Sequence, residues 1–217
     1  MKYNIIGSSS EGNCIIVEDV LMLDCGIIYN KIKKYLPKVK LIFISHIHFD
    51  HLLPTAIKKI AYNYPTIKFL TGSEFVVNKL VECGVNKKNI YILESGKKYD
   101  LGLLKVKLEE LYHDTSNYAL KCEINGRKML YAVDTNRIDH IEAKNYDLYL
   151  IENNYQKELL QEHIDNCEDK NMLYYLNRVT YTHLSAEQAN SFLIENMGQN
   201  SIYEYIHQSK YNYKEVD

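Results

Sequence analysis

The chain has 217 residues, 46% of them hydrophobic and 25% charged, with a formal net charge of −2. That is the composition of a globular protein with one substantial core, or two small domains at most. It excludes a chain-wide basic field, and no apolar run, LIFIS and IIVEDVLML included, approaches the ~18 residues of a membrane span. Five cysteines (Cys14, Cys25, Cys83, Cys122, Cys167) with no CxxC pair argue against a disulfide framework or a four-cysteine zinc site. The start, MKYNIIGSSSEGN, lacks the long apolar stretch of a secretory signal, so a cytoplasmic protein with reduced thiols is expected.

In chain order, YNIIG, NCIIVED and VLMLDCG read as short strands joined by glycine-bearing loops. YNKIKKYL reads as a basic helix stopped by Pro37, and KLIFIS as a buried strand. Residues 52–62 have a helical pattern with Pro54 in the first turn. IKFL is a strand, and Ser73 opens the helix EFVVNKLVEC, which Gly84 ends. NIYILES and LKVKLEELYH follow as strands, then YALKCEING and KMLYAVD as a hairpin turning at Asn125-Gly126. YDLYLIEN is a strand and YQKELLQEHIDN a helix. Ser185 with Gln188 forms a capping box for AEQANSFLIEN, and IYEYIHQ is a last strand. Two β-rich halves, each with helices, predict an α/β (α+β) arrangement of two packed sheets covered outside by helices, as a single domain over residues 1–217.

The chemistry concentrates in Ser45-His46-Ile47-His48-Phe49-Asp50-His51. Residues two apart on an extended chain face the same side, so His46 and His48 emerge together where KLIFIS ends. Asp50 and His51 fall in the turn that follows, and four such donors in six residues can serve two adjacent metal ions. Downstream, His113 follows a strand and can complete a first site with His46 and His48. Asp134 also follows a strand, where its carboxylate can bridge two ions. His183 precedes a capped helix and can complete a second site with Asp50 and His51. His140, His163 and His207 fit no ligand pattern and read as surface or packing residues.

HIHFDH, with His113, Asp134 and His183 after it, resembles the metallo-β-lactamase superfamily through its HxHxDH motif. The resemblance implies an αββα sandwich, two mixed β-sheets with helices on the outer faces, and a dinuclear site at one sheet edge. Asp24 in LMLDCG matches a strand-end Asp that supports the ligands in that family. GSSSEGNC, HDTSNYA, LIENNY and RVTYTHLSAEQA are similar to the YycJ/WalJ type, described as DNA exonucleases, although Thr180 and Thr182 stand where that group carries Asp and Gly.

The expected activity is therefore phosphodiester hydrolysis, with DNA exonuclease action first. A small cyclic-nucleotide phosphodiesterase or an RNA-processing nuclease is the alternative. The expected cofactors are two divalent ions, zinc first with manganese or iron able to occupy the same geometry. They would share an activated hydroxide that Asp50, the expected catalytic residue, orients. The expected partner is DNA or another nucleotide phosphodiester, with no membrane. Ser9, Ser10 and Asn13 are expected to meet the phosphate, because hydroxyl, amide and backbone donors cluster on that turn. Tyr118, Asn153 and Arg178 are further candidates for substrate contact. Lys31, Lys33, Lys34, Lys38, Lys40, Lys58 and Lys59 form a run that can guide a phosphate backbone if it borders the site.

Overall fold

The computed structural model describes residues 1–209; residues 210–217 of the expected domain lie outside the described residues. The first half runs β1 (Tyr3–Gly7), β2 (Cys14–Val17), β3 (Leu21–Leu23), α1 (Tyr29–Ile32), β4 (Leu41–Phe43), α2 (Pro54–Asn63), β5 (Lys68–Thr71), α3 (Glu74–Glu82) and β6 (Ile90–Ile92). The second half runs β7 (Lys98–Asp100), β8 (Lys105–Leu111), β9 (Asn117–Ile124), β10 (Arg127–Ala132), β11 (Leu148–Glu152), α4 (Lys157–Asp165), α5 (Lys170–Thr182), α6 (Ala186–Asn196) and β12 (Ile202–Ile206).

Each half builds one six-stranded sheet, ordered β1-β2-β3-β4-β5-β6 and β12-β11-β10-β9-β8-β7. In both, three consecutive strand pairings or fewer are antiparallel and the rest are parallel, so both sheets are mixed. Alternation along the strands sorts the side chains. Ile15, Val17, Leu41 and Phe43 face Leu108, Leu120, Met129, Tyr131 and Leu150 of the other sheet. Ile16 and Ile42 face outward and are covered by Ile32 of α1, Ile57 and Ile60 of α2 and Leu80 of α3. On the other side Ala119, Leu130 and Tyr149 lie under Phe192 and Leu193 of α6. These are the four layers of the expected sandwich. Among the described residues, no helix is long and apolar enough to cross a membrane.

Local rules account for most elements. Asn125 and Gly126 both take positive φ, 52° and 75°, as a two-residue hairpin of mirrored twist requires. The capping box at Ser185 is formed in both directions. Three elements depart from expectation, the first being β7, a three-residue strand on the edge of β8 where no strand is expected. The basic helix ends at Ile32 rather than Leu36, because Lys31 and Lys34 repel at i,i+3 and Pro37 disfavours helical backbone at Leu36. Helix α5 was not expected from NMLYYLNRVTYT, whose aromatic and β-branched residues are poor helix formers. Asp169 nucleates it by accepting from the backbone N–H groups of Asn171 and Met172.

Gly26 fixes how the first half delivers its loop. A Cβ there would stand 1.7 Å from the carbonyl oxygen of Asp50, whereas one at Gly126 would meet nothing within 4 Å. Gly126→Ala is expected to cost about 1 kcal/mol through backbone strain alone and to leave metal uptake unchanged. Gly26→Ala is expected to displace the Asp50 turn and lower both stability and bound metal, read by denaturant unfolding and elemental analysis.

Candidate metal centre

The described donors converge because the strands end at one edge. β4 leads into Ser45 and His46, β8 into His113, β10 into Asp134, and β12 into His207. Parallel register sets Ile206 of β12 opposite Glu152 of β11, and Ala132 of β10 opposite Ile151. Three of the edge residues, Asp24, Asp134 and His207, hold positive φ of 55°, 53° and 51°. Such backbone is uncommon for residues with a Cβ and concentrates at functional sites.

Three groups of side chains bring donor atoms within 4.8 Å of one another: His46, His48 and His113; Asp50, His51, Asp134 and His207; and Asp134, Glu152, His183 and His207. Asp134 links them. Its Oδ2 is 3.3 Å from His46 Nε2 and 2.8 Å from His51 Nε2, so one oxygen lies between the first two groups. His207, read from the sequence as a surface or packing residue, is 3% exposed and lies in the second group. The structure places His207, rather than His183, with Asp50 and His51. His183 lies beyond Asp134, against Glu152. The positions of His207 and Glu152 at the ends of apolar strands were the available sequence signals for both.

The rings are oriented from behind. His51 donates from Nδ1 to Asp24 at 2.6 Å, and His113 donates from Nδ1 to the carbonyl of Thr182 at 3.1 Å. Each therefore presents Nε2 to the site, as buried metal-binding histidines do. His48 is turned the other way: Nδ1 is 3.4 Å from His113 Nε2, and Nε2 is 3.2 Å from Asp114 Oδ1. Arg178 of α5 in turn bonds Asp114. Asp24 itself accepts from the Ser45 N–H at 2.7 Å, the Ser45 hydroxyl at 2.9 Å and the Tyr131 hydroxyl at 2.7 Å.

Glu152 is fully buried and saturated. Oε1 accepts from His183 Nδ1 at 2.7 Å and faces His207 Nδ1 at 3.1 Å, while Oε2 accepts from the Thr135 and Leu184 N–H groups. A carboxylate with both oxygens committed in this way positions two histidines. The serine-rich loop also braces the site. Ser8 Oγ accepts from the His207 N–H at 2.8 Å, and the Asn13 N–H bonds the Asp50 carbonyl at 2.7 Å. Asn13 Nδ2 lies 2.9 Å from His51 Nε2 and the residue is 2% exposed, while Ser10 is exposed at the loop tip. Tyr118 packs across Gly72, and Asn153 is buried.

Three buried polar atoms have no hydrogen-bond partner among the described residues: His46 Nε2, Asp134 Oδ1 and His207 Nε2. Buried polar atoms are rarely left unpaired, and all three belong to the donor groups. Imidazole and carboxylate lone pairs facing one another are the donor set of a divalent transition metal, so these residues fit such ions.

Without bound ions, His183 and His207 hold protons tightly, whereas burial lowers the pKa of His46 and His113. Burial disfavours the charged ring of His183, but Glu152 and Asp134 outweigh it and raise the pKa to about 10. Burial likewise opposes charge on His207, where Asp134, Asp50 and Glu152 prevail and raise it to about 9. Burial works against the ionised form of Asp50 too, yet His207 and His51 hold that carboxyl well below the usual range. A histidine pKa raised by folding contributes stability that is complete below the unfolded value near 6.5 and is lost as pH climbs through the folded value. The thermal midpoint of chelator-treated protein is therefore expected to fall between about pH 7 and pH 10, and to fall less with metal bound, where metal replaces the proton. A flat profile in chelator would contradict this electrostatic account.

Residues 28–202 match the model of the β-lactamase superfamily domain. Over 106 residues the chain is 31% identical to the cytidine monophosphate-N-acetylneuraminic acid hydroxylase of Sus scrofa, covering 47% of this chain and 24% of that protein. The Pongo pygmaeus hydroxylase is 34% identical over 101 residues, covering 45% and 17%. The chain thus spans less than a quarter of the length of these relatives. Among solved structures, the metallo-β-lactamase fold protein YhfI from Bacillus subtilis superposes with a TM-score of 0.70 at 15% identity, covering 97% of this chain and 87% of that one. The short form of human tRNase Z gives 0.68 at 14%, covering 97% and 94%. Zn²⁺-bound PqqB from Methylobacterium extorquens gives 0.66 at 10%, covering 98% and 90%. With the family model matched across most of its length, the chain belongs to the β-lactamase superfamily and has the metallo-β-lactamase fold.

Proposed function

We propose that this chain is a metal-dependent phosphodiester hydrolase that degrades DNA from an end. The observation that carries the reading is the set of buried atoms without a hydrogen-bond partner, His46 Nε2, Asp134 Oδ1 and His207 Nε2, within three contiguous donor groups. In this assignment His46, His48 and His113 would hold one ion and Asp50, His51 and His207 another, with Asp134 within reach of both groups. Zinc is the first metal to test, supported by the zinc-bound neighbour PqqB. When bound, two such ions supply Lewis acidity, lowering the pKa of water to about 7 and offsetting charge that gathers on phosphate.

The chain's own groups divide the remaining work. Asp50, kept ionised by its histidine neighbours and partly open to solvent, accepts a hydrogen bond from the attacking water and aligns it. His183 is the proton donor to the leaving oxygen. Glu152 fixes its Nδ1, and the raised pKa keeps the ring charged at neutral pH. Ser9 and Ser10, on the loop that braces Asp50 and His207, bind phosphate oxygens. The preference for DNA rests on the resemblance of GSSSEGNC, HDTSNYA and RVTYTHLSAEQA to YycJ/WalJ-type exonucleases. RNA is the second reading, favoured by the superposition on tRNase Z.

The direct test is hydrolysis of end-labelled single- and double-stranded DNA, RNA and cyclic nucleotides by metal-loaded protein, with His48→Ala alongside. Stepwise shortening of DNA, abolished in the variant, supports the proposal. Cleavage of RNA or cyclic nucleotides alone moves the substrate, and inertness with two ions bound overturns it. The roles of the two late histidines separate by metal content. His207→Ala is expected to reduce two bound ions to one, whereas His183→Ala keeps both. His183→Ala should slow DNA cleavage by about 10²–10⁴ and affect a p-nitrophenyl ester far less, since that leaving group departs without a proton.

A further inference from the structure

The charge of this chain is not spread evenly. Residues 25–73 contain eight lysines and one acid, and the acid is Asp50. That segment carries +7 in a chain whose total is −2, leaving −9 for the remainder. Residues 152–204, which include α4, α5 and α6, hold nine acids against three bases. Helices α1 and α2 outside the first sheet are therefore cationic, while α3 beside them carries Glu74 and Glu82, and the layer outside the second sheet is acidic, with the donor cluster at the edge between the layers.

Lys31, Lys33, Lys34, Lys58 and Lys59 are exposed on and just after α1 and on α2. Among the described residues none of the five forms an ion pair, while Lys38 pairs with Asp19 at 3.4 Å. Lys59 lies over the Tyr29 ring, 5.5 Å from its centroid, so the charges of α2 reach across to α1. A solvated protein face ordinarily interleaves both signs, and α1 and α2 carry like charge with no acid of their own.

The layer also begins at the site. Gly26 abuts the Asp50 carbonyl, and the Leu53 N–H bonds the Cys25 carbonyl at 2.9 Å. Ile28 and Leu53 are the N-caps of α1 and α2, so both helices start at the donor edge and run away from it. The ten residues of α2 extend about 15 Å.

We propose that the outer face of α1 and α2 binds the phosphate backbone of a single nucleic-acid strand leading into the donor cluster. This inference rests on the phosphodiester reading above and adds the surface by which a polymer would be held. Phosphates are contacted there by unpaired lysines, without base recognition, so binding is sequence-independent and strongly salt-dependent.

The test compares wild type with Lys33→Gln/Lys34→Gln/Lys58→Gln, and with Lys105→Gln/Lys107→Gln/Lys121→Gln on the outer face of the second sheet. Binding of a fluorescent single-stranded oligonucleotide is followed by anisotropy across a salt series. Turnover of a p-nitrophenyl phosphodiester is measured in parallel. The first triple variant is expected to bind about tenfold more weakly, with a slope of log K against log salt shallower by about 2, at ~0.7 per lost contact. Its turnover of the small ester should be unchanged, and the second triple should match wild type in both. Unaltered oligonucleotide affinity, equal losses in both triples, or tighter binding to vesicles of phosphatidylserine than to the oligonucleotide would overturn the proposal. Lysine-dependent oligonucleotide binding without hydrolysis of any diester would keep this surface and remove the catalytic reading. Ester hydrolysis with lysine-independent binding would do the reverse.

Discussion

A carboxylate with no exposure to solvent must find donors for its lone pairs, and Asp24 finds them on three elements. The Ser45 N–H and hydroxyl come from the end of β4, the His51 ring from the following turn, and the Tyr131 hydroxyl from β10 of the opposite sheet. The same charge therefore holds the two sheets together at the edge and fixes which nitrogen of His51 faces the cluster. Removing one partner of a buried pair of this kind typically costs about 3–5 kcal/mol, because the other charge is left uncompensated. The positive φ at Asp24 is the backbone geometry that turns the chain from β3 while keeping the carboxylate pointed inward.

Around that anchor the site is layered. Donor atoms face one another in the centre, and a second set of groups faces their backs: Asp24 behind His51, the Thr182 carbonyl behind His113, Asp114 beside His48, and Glu152 behind His183 and His207. These outer contacts fix ring tautomers, and with them the direction of each lone pair. They also connect the centre to distant parts of the fold, since Asp114 leads through Arg178 into α5.

The legible parts of the sequence were those governed by short-range rules. HIHFDH places four donors in the short irregular segment and turn that follow β4. Asn125-Gly126 dictates a hairpin, and Ser185 with Gln188 dictates a helix start. The four layers followed from two β-rich halves, each with helices, and from continuously apolar strands such as Ile15 to Val17 and Leu41 to Ile44. What escaped depended on pairing across long separations. His207 enters the cluster because β12 adds in parallel to β11, a partner some fifty residues earlier, and nothing near IYEYIHQ records that register. Glu152 looks like the end of an apolar strand until His183 and His207 arrive against it. His183, close to a well-marked helix cap, attracted the place beside Asp50 and His51 that His207 occupies, and itself lies with Asp134 and Glu152. Helix α5 was hidden because its stability comes from Leu176 and Val179 packing on Tyr155 and Leu160, contacts that outweigh weak intrinsic propensity.

The division of the donors between the two sheets governs the order in which the molecule can be assembled. His46, His48, Asp50 and His51 all belong to the first half, while His113, Asp134 and His207 belong to the second. Every one of the three donor groups draws on the second half, and the first two need both. An isolated first half would present an incomplete shell, with Asp24 lacking the Tyr131 hydroxyl and His51 lacking Asp134. The first two donor groups are therefore complete only once the two sheets have docked, so any ion they hold would bind the assembled fold rather than either half alone.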